Sequence, residues 1–158
     1  MNKRSSQKIV LATDHAGFPL KEVVKAYLQE KGYTIDDVGA HALVPEDDYP
    51  RYMAKAGLKI AEDAGGELKA IIFGWSGQGE AMVANRFPGV RAAVYYGGEA
   101  GKEILRLSRE HNDANVLSIG AHFVNETEAK EAVTLWLETA FSGEERHLRR
   151  IQEMDSIQ

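Results

Sequence analysis

The chain has 158 residues, of which 44% are hydrophobic and 27% charged, and a formal net charge of −5. This is the composition of an ordinary globular chain, long enough to bury a core as one domain spanning residues 1–158. Its acidic balance, with no long basic block, argues against nucleic acid as partner. The absence of cysteine excludes disulfides, thiolate metal sites and cysteine nucleophiles.

The start, "MNKRSSQKIVLAT", is basic, but its apolar run stops at Asp14 and His15. That run is too short for a signal segment or a membrane span, so a cytoplasmic protein with a disordered head over residues 1–7 is expected, with no membrane partner. "KIVLAT" reads as a buried strand. In "FPLKEVVKAYLQEKG", Leu20, Val23, Val24, Tyr27 and Leu28 recur at helical spacing, with Pro19 in the first turn and Gly32 at the stop. "YTIDDVG" is a second strand and "AHALVPEDDYPR" a proline-punctuated loop. "YMAKAGLKIAEDAGG" is a helix, "LKAIIFG" a third strand, "EAMVANRF" a short helix and "GVRAAVYY" a fourth strand. "AGKEILRLSREH" is a helix, "NVLSIGA" a fifth strand, and "NETEAKEAVTLWLETAFSG" a long helix with Asn125 as N-cap and Gly143 at its end. "EERHLRRIQEMDSI" over residues 144–158 is a charged C-terminal helix.

Apolar strands alternating with helices predict a Rossmann-like, doubly wound three-layer α/β sandwich with a five-stranded parallel sheet. Ligands of such sheets bind beyond the carboxyl ends of the strands. "TDHAG", "GWSGQGE" and "GAH" fall there, and "EDDYP" and "REHND" lie close to strand edges, so the candidates are expected to converge on one rim.

"GWSGQGE" is a strand–glycine loop–helix element. It lacks the lysine of a Walker loop and the spacing of a dinucleotide fingerprint. On its own it is equally a tight turn and an anion cradle, with Glu80 in the first turn of the helix. Asp14 and His15 read as a helix cap with a loop histidine, or as a polar pair. His111 reads as a helix-terminal histidine or a proton donor. Arg146 and Arg150, four apart, share a helix face beside His147: a solvated face paired with Glu144 and Glu145, or a bidentate anion site. No two histidines stand at close helical spacing, so no metal site is expected.

Together, "TDHAG", "DYP", "GWSGQGE", "ANRFPGVRAA", "SREHNDANVLSIG" and "ERHLRRI" closely resemble the type B ribose-5-phosphate isomerases and their galactose-6-phosphate isomerase relatives. The resemblance covers almost the whole chain after about residue 8. It implies a cofactor-free aldose–ketose isomerase acting on a phosphorylated sugar through a cis-enediolate. It also implies a homodimer, open to further pairing into a tetramer, with sites at the subunit interface to which the C-terminal helix extends. Family members use either a cysteine base or a glutamate at the end of the glycine loop; this chain carries Glu80. By resemblance, Ser76 to Gly79, including Gly77 and Gln78, supply donors to the oxyanion, with Ser76 contacting the sugar. His111 opens the furanose ring beside Asn112, and Asp14 and Tyr49 contact the sugar. His15, Arg146, His147 and Arg150 form the phosphate side, the last three from the other subunit. Where the family commonly has a phosphate-binding arginine after the fifth strand, this chain has His122, shorter and only partly charged near neutral pH. Trp75 and "YYGG" are further departures. Tetrose, pentose and hexose phosphates remain open, as do a non-catalytic phospho-ligand module and a requirement for a different partner subunit.

Overall fold

A computed structural model describes residues 7–157. The expectation of a disordered head falls mainly on residues 1–6, outside the described residues. Strands β1 (Lys8–Thr13), β2 (Thr34–Asp37), β3 (Lys69–Gly74), β4 (Ala92–Tyr95) and β5 (Val116–Gly120) form one parallel sheet in the order β2-β1-β3-β5-β4. The helices are α1 (Phe18–Glu30), α2 (Pro50–Ala61), α3 (Gln78–Ala84), α4 (Glu99–Glu110), α5 (Glu126–Glu138) and α6 (Glu145–Asp155).

Strand side chains alternate between two cores. Ile9, Leu11, Ile71, Phe73, Leu117 and Ile119 face α1, α4 and α5, where Trp136 is fully buried. Val10, Ala12, Ala70, Ile72 and Val116 face α2 and α3, against Met53, Ala56, Ile60 and Ala84. Covering both faces is what makes the central strands uniformly apolar rather than alternating. Each large side chain buried here contributes roughly 1.5–3 kcal/mol of transfer free energy.

Two helix boundaries differ from expectation. α2 starts at Pro50, with Tyr49 as N-cap, because a proline fits the first helical turn as well as a loop. α5 ends at Glu138 rather than near Gly143: Thr139 is extended, with ψ 120°, and its hydroxyl donates to the Leu135 carbonyl at 2.6 Å. The released segment docks through Ser142 N–H to the Glu110 carbonyl at 3.0 Å. Asn125 does cap α5, its Oδ1 accepting from Glu128 N–H at 2.9 Å.

The chain leaves β1 toward β2 on one side and reaches β3 on the other. α1 then covers one face and α3 the opposite one, so the crevice at the carboxyl ends of β1 and β3 is the topological switch point. At the far side of β1, Lys21 is fully buried and donates to both Asp37 oxygens, at 2.9 and 2.7 Å, and to the Ala40 carbonyl at 2.7 Å. This pins the start of the loop that carries Asp47 and Tyr49.

Candidate functional site

The crevice is lined by the loops after β1 and β3. Glu80, only 4% exposed, folds back over the end of β3: a Cβ on Gly74 would overlap its carboxylate. Gly74 therefore makes the notch that holds the acid. Gly77 adopts a left-handed φ of 78°, lies against the backbone of Ser118 and Gly120, and has its carbonyl held by the Ser118 hydroxyl at 2.7 Å. The loop after β5 is tied to the same stretch by Ala121 N–H to the Gly74 carbonyl at 2.8 Å and His122 N–H to the Trp75 carbonyl at 3.1 Å. Ser76 Oγ accepts from Gln78 N–H at 3.3 Å. At Gly79 a Cβ would meet the Tyr49 hydroxyl at 2.5 Å, so this glycine makes room for the tyrosine.

Burial, and secondarily the charge of Asp14, pushes the Glu80 carboxyl above the usual glutamate range. Asp14 is also raised, chiefly by burial, with His15 and the backbone N–H groups of Ala16 and Gly17 opposing. Two buried carboxyl groups thus share one rim, each with an elevated proton affinity. His15 is raised by its hydrogen bond to Asp47, whose Oδ1 lies 2.8 Å from Nδ1. Asp47 is held low despite its burial because it accepts from both the backbone N–H and the ring of His15. Asp14, His15 and Asp47 bring their ligand atoms within 4.8 Å of one another, a grouping that could hold a cation and that the sequence did not announce. The short His15–Asp47 bond already uses Nδ1, so the three form an acid–imidazole pair beside a second acid.

Beyond the glycine loop stands an aromatic wall. The Trp75 and His122 rings stack at 4.2 Å with an interplanar angle of 17°, Phe123 meets Trp75 edge-on at 5.2 Å, and Tyr96 meets Phe123 at 6.3 Å. Trp75, Tyr96 and Phe123 are all about half exposed.

The structure corrects the expectation of a single rim. Asp14, His15, Tyr49, Ser76, Gly77, Gln78, Gly79, Glu80 and His122 gather at the carboxyl edge. His111 and Asn112 do not. α4 runs back across the sheet, so its C-cap His111 lies at the amino edge, where Arg91 holds the Asn112 carbonyl at 3.0 Å. The separation is the length of a strand, roughly 16–20 Å. His147 is buried at the same amino edge, its ring 4.3 Å from that of His111 and its Nδ1 2.8 Å from Ser142 Oγ. Arg91 also reaches Asp155 at 3.1 Å, so α6 lies along the amino edge of its own sheet. Arg146 pairs with Glu144 at 2.9 Å, and Arg150 is exposed. Within one chain, therefore, Glu80 and the histidine–arginine group lie on opposite edges of the sheet.

Sequence reasoning missed Gly74 and Asp47. Gly74 was legible only as a strand-terminal glycine. Asp47 was legible only as part of the "EDDYP" loop, because the partner that gives it a role is 32 positions away.

Among the described residues, no helix is long and apolar enough to cross a membrane. The family model described as Ribose/Galactose Isomerase matches residues 9–154. The chain is 35% identical over 144 residues to ribose-5-phosphate isomerase B of Mycolicibacterium paratuberculosis, covering 91% of this chain and 87% of that one. It is 35% identical over 153 residues to ribose-5-phosphate isomerase B of Escherichia coli, covering 96% and 97%. Its backbone superposes on Mycoplasma genitalium ribose-5-phosphate isomerase B with bound ribulose-5-phosphate at a TM-score of 0.87 and 30% identity, covering 96% and 95%. On ribose 5-phosphate isomerase from Thermotoga maritima the TM-score is 0.84 at 36% identity, covering 95% and 98%. With the family model matched over residues 9–154 and near-complete coverage of relatives at 35% identity, this chain belongs to the ribose/galactose isomerase family.

Proposed function

We propose that this chain interconverts ribose 5-phosphate and ribulose 5-phosphate through a cis-enediolate, with Glu80 as the base. It is an aldose–ketose isomerase of the sugar-phosphate class, as its relatives' names imply. The observation that carries the reading is the buried Glu80 carboxylate folded over Gly74 at the switch point, with its proton affinity raised by burial. The Glu80 carboxylate takes the proton from C2 of the open aldose. Negative charge develops on the carbonyl oxygen at C1, where backbone N–H groups between Ser76 and Gly79 stabilise it. The hydroxyl proton on O2 passes to O1, which leaves the new carbonyl at C2, and the same carboxylate returns its proton to C1, since a cis-enediolate presents both carbons on one face. An elevated pKa suits this shuttle, because proton transfer is most efficient when donor and acceptor affinities approach each other.

Ring opening requires a proton donor at the ring oxygen. We assign it to His111 of a second copy of the chain, with Asn112 beside it and with Arg146, His147 and Arg150 from that same copy on the phosphate side. The placement of His111 and Glu80 on opposite edges supports a homodimer in which each site takes one edge from each subunit. Asp14 and Tyr49 contact the sugar, and His15 the phosphate. Residues 1–158 then form one cofactor-free isomerase domain working in the cytoplasm, open to tetramer formation.

The test is turnover of ribose 5-phosphate by the purified chain in deuterium oxide, with label appearing at the exchanging carbon. Glu80→Gln removes both exchange and turnover without unfolding the chain; retained activity would refute the base. Turnover by this chain alone also excludes a need for a different subunit. Tight binding of phosphorylated sugars without turnover favours a non-catalytic module instead.

One observation supports a second reading of sugar length. His122, standing where an arginine is expected, is exposed and stacked on the Trp75 ring. A panel of tetrose, pentose and hexose phosphates, with arabinose, ribose and allose configurations included, decides it. Trp75→Gly is expected to change the order of preference within that panel.

A further inference from the structure

The His15 backbone N–H and ring Nδ1 both converge on one oxygen, Asp47 Oδ1, each at 2.8 Å. The Asp47 side chain is 2% exposed and that of His15 is 37% exposed. The acid is thus sealed beneath the imidazole, while the ring keeps an open side. Nδ1 is committed to the carboxylate, so Nε2 is the nitrogen left for a ligand. A neutral imidazole with its proton on Nδ1 would turn a lone pair toward that ligand and repel an anion. Only the imidazolium donates from both nitrogens.

The surroundings make that choice matter. The residues gathered at the carboxyl edge include the acids Asp14, Asp47 and Glu80, and the only groups among them able to carry positive charge are His15 and His122. Asp14 Oδ2 lies 3.8 Å from His15 Nδ1. From α2, Tyr52 faces Asp47, and Arg51 faces Tyr52. Glu80, on the loop after β3, interacts with Asp14. Beside the Arg146 and Arg150 that the proposed dimer brings from the second copy, a dianionic phosphate at this acidic rim gains from a cation on its own chain, and a histidine left to itself is mostly neutral at physiological pH.

We propose that Asp47 is a positioning residue that fixes His15 as an imidazolium, with Nε2–H presented to the phosphate of the sugar. This rests on the sugar-phosphate reading given above. It adds to that reading a residue that touches no substrate yet sets the pH range over which the substrate is held. Burial and the double hydrogen bond keep Asp47 from rotating away, and using one oxygen for both bonds fixes the ring plane relative to the loop.

The test begins without substrate. The His15 ring resonance is titrated by NMR in the wild type and in Asp47→Asn, and assigned by its disappearance in His15→Gln. The asparagine keeps an oxygen for the backbone N–H and removes only the charge. The wild-type midpoint is expected to lie above the variant's by roughly one unit, the size typical of a close opposite charge. Inorganic phosphate should shift the His15 resonance in the wild type. In steady state, Asp47→Asn should raise KM for ribose 5-phosphate roughly fivefold near neutral pH, with kcat within about twofold. The ratio of variant to wild-type KM should fall toward one as pH is lowered, since acid charges His15 without help. A purely structural role would leave that ratio independent of pH. Equal midpoints in the two proteins, or a pH-independent ratio, would overturn the proposal. Should Asp47→Asn fail to fold, the wild-type titration still decides: a midpoint at or below the ordinary histidine value of 6.5 refutes the clamp. If ribose 5-phosphate is not turned over at all, the titration and phosphate shift still report on Asp47, so failure of the activity and failure of the clamp are distinguishable.

Discussion

The His147 imidazole packs against that of His111 in the same chain, ring centroids 4.3 Å apart, at the edge of the sheet opposite Glu80. In the proposed dimer, a subunit that brings the α6 arginines to a site therefore also brings His111, the residue assigned above to ring opening. Burial lowers the proton affinity of His147, and the charges of His111 and Arg146 lower it further. His147 thus favours its neutral form more than a free histidine does, and its ring packs against that of His111.

Complementation between two inactive variants follows from this division. Glu80→Gln and His111→Gln should each be inactive alone. After co-refolding in equal amounts, half of the dimers are mixed, and each mixed dimer carries one intact site. About a quarter of the wild-type rate is then expected. Activity that stays at the level of the separate variants would place base and histidine in the same subunit.

Gly74→Ala is predicted to strike catalysis harder than stability. The new methyl occupies the place of the Glu80 carboxylate, which must swing away. Displacement of a reacting group by about 1 Å costs on the order of 10²-fold. A loss of that order in kcat/KM should appear beside a circular dichroism spectrum that is unchanged.

Glu80→Gln should stabilise the fold at neutral pH. A carboxyl whose folded pKa is raised binds its proton more tightly in the native state, so ionisation opposes folding. That cost is absent in acid, grows as pH rises through the glutamate range, and is complete above the raised pKa. The midpoint of thermal unfolding of the glutamine variant should exceed that of the wild type at neutral pH, and the gap should close below the ordinary glutamate range. A gap independent of pH would exclude an ionisation penalty at Glu80.

Lys21→Met should be costly although methionine is similar in shape to the lysine stem. Despite burial, Asp37 is held below the usual aspartate range by Lys21 and Lys25, with Lys25 bonding at 2.9 Å. Removing one partner of a buried pair costs roughly 3–5 kcal/mol, and Lys25 should keep the loss near the lower end. A carboxylate with a depressed pKa contributes stability above its unfolded pKa that is lost as pH falls through the folded one. The difference between variant and wild type in urea unfolding should therefore shrink in acid.

Much of the fold was legible because it is written in local periodicity. Runs such as "KIVLAT" and "LKAIIFG" have no polar face, which only a sheet covered on both sides explains, and glycines and prolines marked most helix ends. The α5 boundary was not legible: residues 139–144 read as helix until Ser142 and His147 find their partners on and beyond α4. Nor could the two edges be told apart. "REHND" precedes a strand and "GWSGQGE" follows one, and that order sets the edge only once the helices are known to run back across a parallel sheet.

The sequence by itself determined the alternation of strands and helices, the glycine loop with Glu80 at its end, and the absence of any cysteine to serve as base. Each of these depends on residues near one another in the chain. Tertiary structure alone decided which edge each group occupies, that Gly74 is the notch under Glu80, and that Asp47 sits beneath His15. Those relationships join residues whose proximity is created by the sheet. The energetics that matter to catalysis, burial of a carboxylate and pairing of an imidazole, exist only once water has been removed from around them.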